Sequence, residues 1–351
     1  MLMRRLRDRG VENVLAAQPG SRSEAVAGEL GFDCFTTSMR GYTDLGAVRR
    51  LARIAREVAP DIVHLHTGRS TWLGGLASWR CGLPALTTRR MDRRVRRGLR
   101  TKLIYRRLVQ RAVAIAPAVA DQLLKAGVPA AKIAVIWDAV EPESLRQSHD
   151  DGGAARSALR AELGAGPDDL VLLTMAALNR RKGLDVLLDA LAACEAQGLR
   201  PKAWLCGTGG LRAELQAQID RLGVDATLLG WREDVRELLH AADLCLLPSR
   251  REGVGVAALE AMAAGKPVIA SKVGGLGQAM EHGESGFFVP PDDIPALAAA
   301  IQRLADDPGL CAQLGAGAAK RVDERYAADL QAEAYLNLYG EVIGEARAAG
   351  A

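Results

Sequence analysis

The residues best suited to chemistry are two glutamates eight positions apart, Glu252 and Glu260. Glu252 falls in a predicted loop, and Glu260 falls within the following predicted helix, between Leu259 and Met262. A carboxylate buried in so apolar a segment loses hydration, and the free-energy cost of this loss is not compensated unless the carboxylate is paired or bound. Two neighbouring sugar hydroxyls could supply its hydrogen bonds, and the free N–H groups at the start of the helix could hold a phosphate. The combination predicts a site for a nucleotide-linked sugar.

The size and composition of the chain are those of an ordinary globular protein with two domains. It has 351 residues, of which 49% are hydrophobic and 25% are charged. The net charge of +4 is too small to indicate nucleic acid, and no nucleic-acid partner is expected. Its 6 cysteines lack metal-ligand spacing, which is typical of reduced thiols in a cytosolic protein. With neither an apolar run of about 18 residues nor a signal-peptide pattern, a cytoplasmic location is expected.

Short apolar runs alternate with helix-period stretches along the whole chain, and these runs predict the strands. The predicted strands are Asn13–Ala17, Asp33–Thr36, Asp61–His66, Pro84–Thr88, Ala112–Ala116, Lys132–Trp137, Leu170–Met175, Ala203–Cys206, Ala226–Leu229, Leu244–Leu247, Pro267–Ala270 and Gly286–Val289. Continuous Val, Ile and Leu runs between helices indicate parallel strands buried on both faces. The pattern therefore predicts an α/β protein with two doubly wound, Rossmann-like domains and a cleft between them.

The predicted domain limits follow from composition. Residues 1–150 form the first domain, the polar and Gly/Ala-rich stretch 151–168 is a linker, and residues 169–326 form the second domain. In the second domain, helices are predicted at Gly183–Gln197, Leu211–Leu222, Val235–Ala241, Gly255–Ala264 and Ile294–Leu304. A last helix, within 327–351, either crosses to the first domain or completes the second.

Five segments of the second half, in order, resemble family 4 retaining glycosyltransferases, which have the GT-B fold. They are Asn179–Leu191 (NRRKGLDVLLDAL), Leu205–Leu215, Leu228–Ser249, Glu252–Ser271 and Gly283–Asp293. The first half resembles the family more loosely, and its TRR triplet is similar to sugar transferases of cell-envelope polysaccharide and lipopolysaccharide assembly. The resemblance implies that a sugar moves from a nucleotide-diphosphate donor to an envelope glycan or lipid-linked acceptor. The nucleotide sugar is a substrate, so no cofactor is implied, and the lack of an Asp-x-Asp triplet implies no metal.

The resemblance assigns the two glutamates to the donor. It implies that Glu260 binds the ribose hydroxyls and that Glu252 lies by the donor sugar, where it holds a hydroxyl or stabilises positive charge at the anomeric carbon. The alternatives are an ion pair for Glu260 and helix capping for Glu252. The N–H groups of Gly253, Val254 and Gly255 are expected to face the diphosphate or the sugar. A flexible loop without a ligand is the alternative for these three residues.

The cations after the first strand of the second domain are assigned to the diphosphate. The resemblance implies that Lys182 neutralises the departing diphosphate. Arg180 or Arg181 could replace the arginine that the family carries where this chain has Ala177, and a solvated turn is the alternative. Gly207 and Gly209 form a second glycine-rich turn on the donor side. Many α/β turns use glycine for backbone reasons alone, so this turn is weak evidence.

In the first half, Arg90 stands where many family members have a histidine that faces the donor. An arginine there could grip a phosphate but could not act as a base. Arg89 and His66 also follow predicted strands, at the edge where open α/β sheets bind ligands, and are assigned to the acceptor side. The alternatives are surface arginines and a histidine that orders its loop.

The stretch from Arg89 to Arg107 is strongly basic. Interleaved leucines predict an amphipathic helix that contacts an anionic membrane, which would place the protein peripherally on the inner face of the cytoplasmic membrane. A phosphate-bearing acceptor, nucleic acid and a solvated, disordered loop are the alternatives for this stretch taken alone.

The start of the chain differs from the family. The first strand and its Gly-rich loop are expected to be missing, which predicts an N-terminally truncated member of uncertain activity. A GT-B nucleotide-sugar epimerase and a non-catalytic nucleotide-sugar-binding protein are therefore kept as alternative functions.

Overall fold

The computed structural model describes residues 1–90, 94–146 and 153–350. Its contacts divide the chain into two compact units: Met1–Trp137 with Ala328–Ala351, and Asp138–Ala327. We call them the first and the second unit. The division therefore follows Trp137, whereas the sequence analysis placed it within 151–168. Residues 151 and 152 of that predicted linker lie outside the described residues.

The strands lie close to the predicted positions. They are β1 Val14–Ala17, β2 Asp33–Thr36, β3 Val63–Leu65, β4 Ala85–Arg89, β5 Arg111–Ala114, β6 Ile133–Val135, β7 Val171–Met175, β8 Lys202–Cys206, β9 Ala226–Gly230, β10 Leu244–Leu247, β11 Val268–Ser271 and β12 Gly286–Val289.

Helices separate most of these strands. They are α1 Leu2–Arg7, α2 Arg22–Glu29, α3 Leu45–Val58, α4 Gly68–Arg80, α5 Leu99–Leu103, α6 Pro117–Lys125, α7 Pro142–Arg146, α8 Ala154–Glu162, α9 Leu184–Glu195, α10 Arg212–Leu222, α11 Val235–Ala241, α12 Val256–Ala263, α13 Leu276–Ala279, α14 Ile294–Asp306, α15 Pro308–Arg325 and α16 Ala328–Gly350. A π-helical turn, Ile104–Leu108, continues α5, and a 3-10 turn, Arg180–Lys182, precedes α9.

The second unit has one parallel sheet in the order β9-β8-β7-β10-β11-β12. Successive strands run outward from β7 to β9 on one side and from β10 to β12 on the other. This is the doubly wound order, and its direction reverses between β7 and β10. Apolar side chains of α9, α10 and α14 pack against the sheet and form a continuous buried core. Ligands of such sheets bind at the carboxyl ends of the strands beside the reversal.

The first unit has two separate parallel sheets, β1-β2 and β3-β4-β5-β6. Helix α16 belongs to this unit, although it lies at the end of the chain. Its Tyr335 and Val342 are buried in one cluster with Leu86 and Val113 of the four-stranded sheet. The helix therefore supplies part of the core of the first unit.

The basic stretch Arg89–Arg107 is not one helix. Strand β4 runs to Arg89, residues 94–97 have no regular structure, and α5 begins only at Leu99. Residues 91–93 lie outside the described residues. Ile104 and Leu108 are buried, whereas 86% of Leu99 is exposed, so the predicted apolar stripe is split between core and solvent.

Gly183 allows the loop after β7 to approach the loop after β10. Its φ is +65°, and a Cβ there would lie 2.0 Å from the carbonyl oxygen of Pro248. We expect Gly183→Ala to lower the free energy of unfolding by more than the ~1–2 kcal/mol that a left-handed alanine costs, because the clash adds to it. Gly223→Ala is the matched control, since φ is +69° with nothing within 4 Å. Equal losses in urea unfolding of the two variants would contradict this explanation.

Candidate functional site at the carboxyl edge of the second sheet

The sequence-predicted donor residues of the second unit lie on the loops that follow β7, β8 and β10, except Glu260, which lies in α12. The 3-10 turn Arg180–Lys182 follows β7, and Glu252 lies between β10 and α12. Since β7 and β10 are neighbours in the sheet, their loops meet where the strand order reverses. The topology thus brings together two segments that are 70 residues apart in the sequence.

Lys182 and Glu252 form an ion pair between Nζ and Oε2. Their side chains are 13% and 9% exposed, so both charges are largely removed from water. Glu252 also accepts hydrogen bonds from the Gly253 N–H (3.1 Å) and from the Ser249 hydroxyl (3.4 Å). A lysine and a carboxylate are therefore held side by side at the edge of the sheet.

The N-terminus of α12 begins beside this ion pair without a side-chain cap. Gly255, the residue before the helix, has φ of +79°, and the first turn holds no acidic residue. Glu252 therefore does not cap the helix, contrary to the alternative for that residue. Of the three N–H groups predicted to face a ligand, that of Gly253 is taken by Glu252. The structure shows no acceptor for the N–H groups of Val254 and Gly255 among its described residues. An uncapped helix start of this kind favours an anion.

Glu260 lies in α12 and is partly buried, and its carboxylate has no hydrogen-bonding or ion-pair partner in the described part of the chain. The predicted alternative, an ion pair with a lysine or arginine, is therefore not found there. Burial raises the pKa of this carboxyl from 4.5 to about 7. A carboxylate that loses hydration without gaining a partner is a group poised to bind something else.

Arg180 and Arg181 differ in their surroundings. Arg180 is exposed and contacts Glu214 at 3.4 Å on the surface. Arg181 is partly buried, and no carboxylate pairs with it among the residues described. Its backbone N–H donates to the side-chain oxygen of Asn179 at 3.1 Å, which closes the turn that carries Lys182. The role predicted for Arg180 or Arg181 at the diphosphate stays a prediction.

Gly207 and Gly209 have a backbone reason to be glycine. A Cβ on Gly207 would lie 2.0 Å from the carbonyl oxygen of Ala176, and one on Gly209 would lie 2.3 Å from that of Leu178. The Leu178 N–H also donates to the carbonyl of Thr208 at 2.9 Å. The loops after β7 and β8 therefore interlock through their backbones, which explains both glycines without a ligand. Their predicted contact with the donor stays a prediction.

Arg250 is a residue of this region that the sequence analysis missed. Its guanidinium makes two hydrogen bonds to Asp185 (2.8 and 2.7 Å), one to Asp292 (2.6 Å) and one to the carbonyl of Arg180 (2.8 Å). Its backbone N–H donates to the carbonyl of Arg181 at 2.8 Å. It therefore ties the turn that carries Lys182 to the loop that carries Glu252. Its position in the loop after β10 was the only signal in the sequence.

We expect Arg250→Gln to lower the free energy of unfolding by about 1–2 kcal/mol, because the guanidinium that joins three segments, with a bidentate pair to Asp185, is lost. The loss is no larger because these charged groups are partly solvated. Arg236→Gln is the matched control. Arg236 is similarly exposed, at 27% against 29%, but pairs with its sequence neighbour Glu237 and so joins no distant segments. Urea unfolding measures both variants, and similar losses would contradict the role given to Arg250.

His66, Arg89 and Arg90 lie in the first unit. The ring centre of His66 lies 3.9 Å from that of His64, with the two rings tilted by 35°. His66 is exposed, and loss of hydration around its ring, followed by the charge of Arg90, lowers its pKa to about 4. The side chain of Arg89, at the end of β4, interacts with the Tyr105 hydroxyl. The roles predicted for these three residues stay predictions.

His64 is a structural residue. Its Nδ1 lies 2.7 Å from the hydroxyl of Tyr339, and its Nε2 lies 2.7 Å from the hydroxyl of Thr88. Thr88 in turn contacts the hydroxyl of Tyr335 at 2.8 Å. The Nδ1 of His64 therefore binds α16 directly, and its Nε2 is linked to the same helix through Thr88 of the sheet.

None of the helices in the described residues is both long and apolar enough to cross a membrane. No group of three or more His, Cys, Asp or Glu side chains could hold a metal ion in the same residues.

Both halves of the chain match family models of glycosyltransferases. Residues 1–144 match the model of glycosyltransferase family 4, and residues 155–321 match that of glycosyl transferases group 1. The chain is 31% identical over 314 residues to a D-inositol 3-phosphate glycosyltransferase of Acidothermus cellulolyticus, a match that covers 82% of this chain and 69% of that protein. The chain therefore belongs to glycosyltransferase family 4.

Other relatives of the chain include a glycosyltransferase of lipopolysaccharide core biosynthesis. The lipopolysaccharide core biosynthesis glycosyltransferase LpsD of Rhizobium meliloti is 33% identical over 188 residues, which is 53% of this chain and 54% of that protein. Across these and other curated relatives, the matched part of the chain spans 50% to 69% of their length.

The chain has the GT-B fold, as the resemblance to family 4 implied. The crystal structure of HepE from Anabaena in complex with UDP and glucose matches 97% of this chain and 95% of that chain, with a TM-score of 0.85 and 23% sequence identity. At 23% identity this similarity establishes the fold and does not establish the substrates.

Proposed function

We propose that this glycosyltransferase transfers a sugar from a nucleotide-diphosphate donor to an envelope glycan or a lipid-linked acceptor, with retention of the anomeric configuration. The observation that carries the proposal is the buried Lys182–Glu252 pair beside the uncapped start of α12. A cation and free N–H groups suit a diphosphate, and a carboxylate next to them suits the attached sugar. The unpartnered Glu260 supplies a second carboxylate for the ribose diol.

The proposed reaction needs these residues for binding and for charge. The acceptor hydroxyl forms a new bond to the anomeric carbon on the same face from which the diphosphate leaves. The bond from that carbon to the diphosphate oxygen breaks, its electron pair stays on the diphosphate, and the hydroxyl proton passes to that leaving group. Lys182 neutralises the new negative charge, and Glu252 stabilises the positive charge that develops on the sugar. No metal is required in this scheme.

The class of donor and acceptor is supported by the relatives. HepE of Anabaena was crystallised with UDP and glucose, which makes UDP-sugars the first donors to test. LpsD of Rhizobium meliloti acts in lipopolysaccharide core biosynthesis, which favours an envelope acceptor. Both remain proposals for this chain.

The test is a two-step measurement on the wild-type protein. A thermal-shift screen of UDP-, GDP-, ADP- and dTDP-sugars in EDTA identifies the donor, and release of the nucleotide is then followed with and without glycan or lipid-linked acceptors. Acceptor-dependent release with an α-linked product from an α-linked donor is expected. Conversion of the sugar without acceptor would favour an epimerase, and tight binding without turnover would favour a binding protein.

A further inference from the structure

A strongly basic surface lies on the first unit, at α5 and its flanking residues. Seven exposed cations occur between residues 94 and 107, with no acidic residue in that range. They are Arg94, Arg96, Arg97, Arg100, Lys102, Arg106 and Arg107, and we call them the basic surface. None of the seven forms an ion pair with any described residue. Their charge is therefore not neutralised by the part of the protein that the structure describes.

The basic surface is held in place by the fold. Ile104, Tyr105 and Leu108 are buried in the first unit. The Nε of Arg97 donates to the carbonyl of Lys125 at 2.6 Å, and the Nζ of Lys132 donates to the carbonyl of Arg106 at 3.1 Å. These contacts fix residues 97–108 against α6 and the sheet, so the solvated loop considered in the sequence analysis does not describe this segment.

Large apolar side chains are exposed among these cations. Leu99 is 86% exposed and Leu103 is 40% exposed, and their spacing of four places them on the same side of one helical turn. Arg100 stacks over the ring of Tyr42, 4.4 Å from its centre, and Tyr42 is itself 45% exposed. On the α6 side, Leu124 is 44% exposed next to Lys125. Apolar and basic side chains therefore share one surface.

A basic cavity opens on this surface. It has a volume of about 400 Å³ and is lined by Arg94, Val95, Arg97, Gln122 and Lys125. Among the described residues, three cations, one amide and no carboxylate line it, which is the chemistry of a site for a phosphate group. The cavity lies between the residues that precede α5 and the end of α6.

We propose that the basic surface docks the first unit onto a bilayer that contains anionic phospholipid. Its arginines and lysines face the lipid phosphates, the cavity takes a headgroup, and Leu99 and Leu103 enter the interfacial region. The exposed leucines decide between partners, because nucleic acid would satisfy the cations but would leave the leucines in water. Two signals, charge and apolar insertion, are what stable peripheral binding requires. The proposal does not depend on sugar transfer.

The test is co-sedimentation of the whole protein with vesicles of phosphatidylcholine alone or with a third of phosphatidylglycerol. Binding is expected only to the anionic vesicles, and it should weaken as salt is raised. Arg94→Ser/Arg97→Ser/Arg100→Ser should lower partitioning by about 100-fold, at roughly fivefold for each basic side chain. Leu99→Ser/Leu103→Ser should lower it by at least about tenfold.

Two control variants change exposed residues elsewhere. Arg221→Ser removes an exposed cation of α10, and Leu330→Ser removes a leucine of α16 that is 41% exposed, so both should bind vesicles like the wild type. Thermal unfolding checks that each variant is folded. Equal binding to the two vesicle types by the wild type would overturn the proposal without any variant. RNA binding that the leucine variant retains in full, with no vesicle binding, would assign the surface to nucleic acid instead.

Discussion

Lys182→Met is expected to lower the turnover of the donor by about 10²–10³-fold, the usual loss when one positioned group that stabilises transition-state charge is removed. The donor should still bind to within about tenfold, because the start of α12 and Glu260 remain. The donor identified by thermal shift is used for both measurements. Its dissociation constant comes from titration, and kcat comes from nucleotide release in the presence of acceptor.

The same variant should also lose stability, and the two effects can be separated. Without Lys182, the Glu252 carboxylate is left buried with only the Gly253 N–H and the Ser249 hydroxyl, which costs about 3–5 kcal/mol in typical buried pairs. In Lys182→Met/Glu252→Gln no charge is stranded, so the free energy of unfolding should recover most of this loss. Turnover should stay low in the double variant, since neither charge is restored.

Lys202→Met is the matched control for the loss of a lysine. Lys202 pairs with Asp225 at 2.5 Å at the start of β8, at the opposite edge of the same sheet, where both side chains are more exposed. This variant should lose no more than about 1 kcal/mol and should keep its turnover. If Lys182→Met lost stability but kept turnover, Lys182 would be a structural cation, and the proposed mechanism would fail.

The amino-acid sequence was sufficient to predict the positions of the strands and the proximity of the loops that follow β7 and β10. Strands such as Leu244–Leu247 and Gly286–Val289 have the predicted limits, because short apolar runs between polar residues are where parallel strands are buried. The doubly wound order then follows from alternation, and it places the ends of β7 and β10 side by side. The assignment of Lys182 and Glu252 to one site came from the resemblance to family 4, and the strand order explains why the loops that carry them meet.

Contacts between distant segments were not predictable in the same way. Nothing in the pattern of α16 showed that His64 and Thr88 would hold its tyrosines, because these hydrogen bonds join residues 275 and 247 positions apart. Arg250 was missed for the same reason, since its partners Asp185 and Asp292 have no periodic signal. The basic stretch was predicted as one helix because periodicity cannot show which leucines enter the core.

Glu260→Gln is expected to weaken binding of the nucleotide sugar by about tenfold or more, because a carboxylate accepts stronger hydrogen bonds from a diol than an amide does. Glu284→Gln is the matched control, since Glu284 is exposed in the same unit and has no ion pair among the described residues. An intact nucleotide sugar is the right ligand for titration, because its diphosphate does not gain or lose protons between about pH 5 and 9. Equal affinities of Glu260→Gln and the wild type would remove the ribose role.

The pH dependence distinguishes a ligand-binding carboxylate from a structural one. Burial raises the pKa of Glu260 to about 7, so the folded protein keeps a proton that the unfolded chain releases above 4.5. The stability due to this group is complete below about pH 4.5 and is lost as the pH rises through 7. Glu260→Gln should therefore equal the wild type in stability near pH 5 but exceed it near pH 8, by on the order of 2–3 kcal/mol. Donor affinity of the wild type should fall below pH 7 by up to about tenfold per pH unit, whereas that of Glu260→Gln should not change with pH.

A residue that serves only the structure would instead make the variant less stable at both pH values. A gain in stability together with a loss of donor binding would therefore identify Glu260 as a residue that lowers the stability of the fold and binds the ligand.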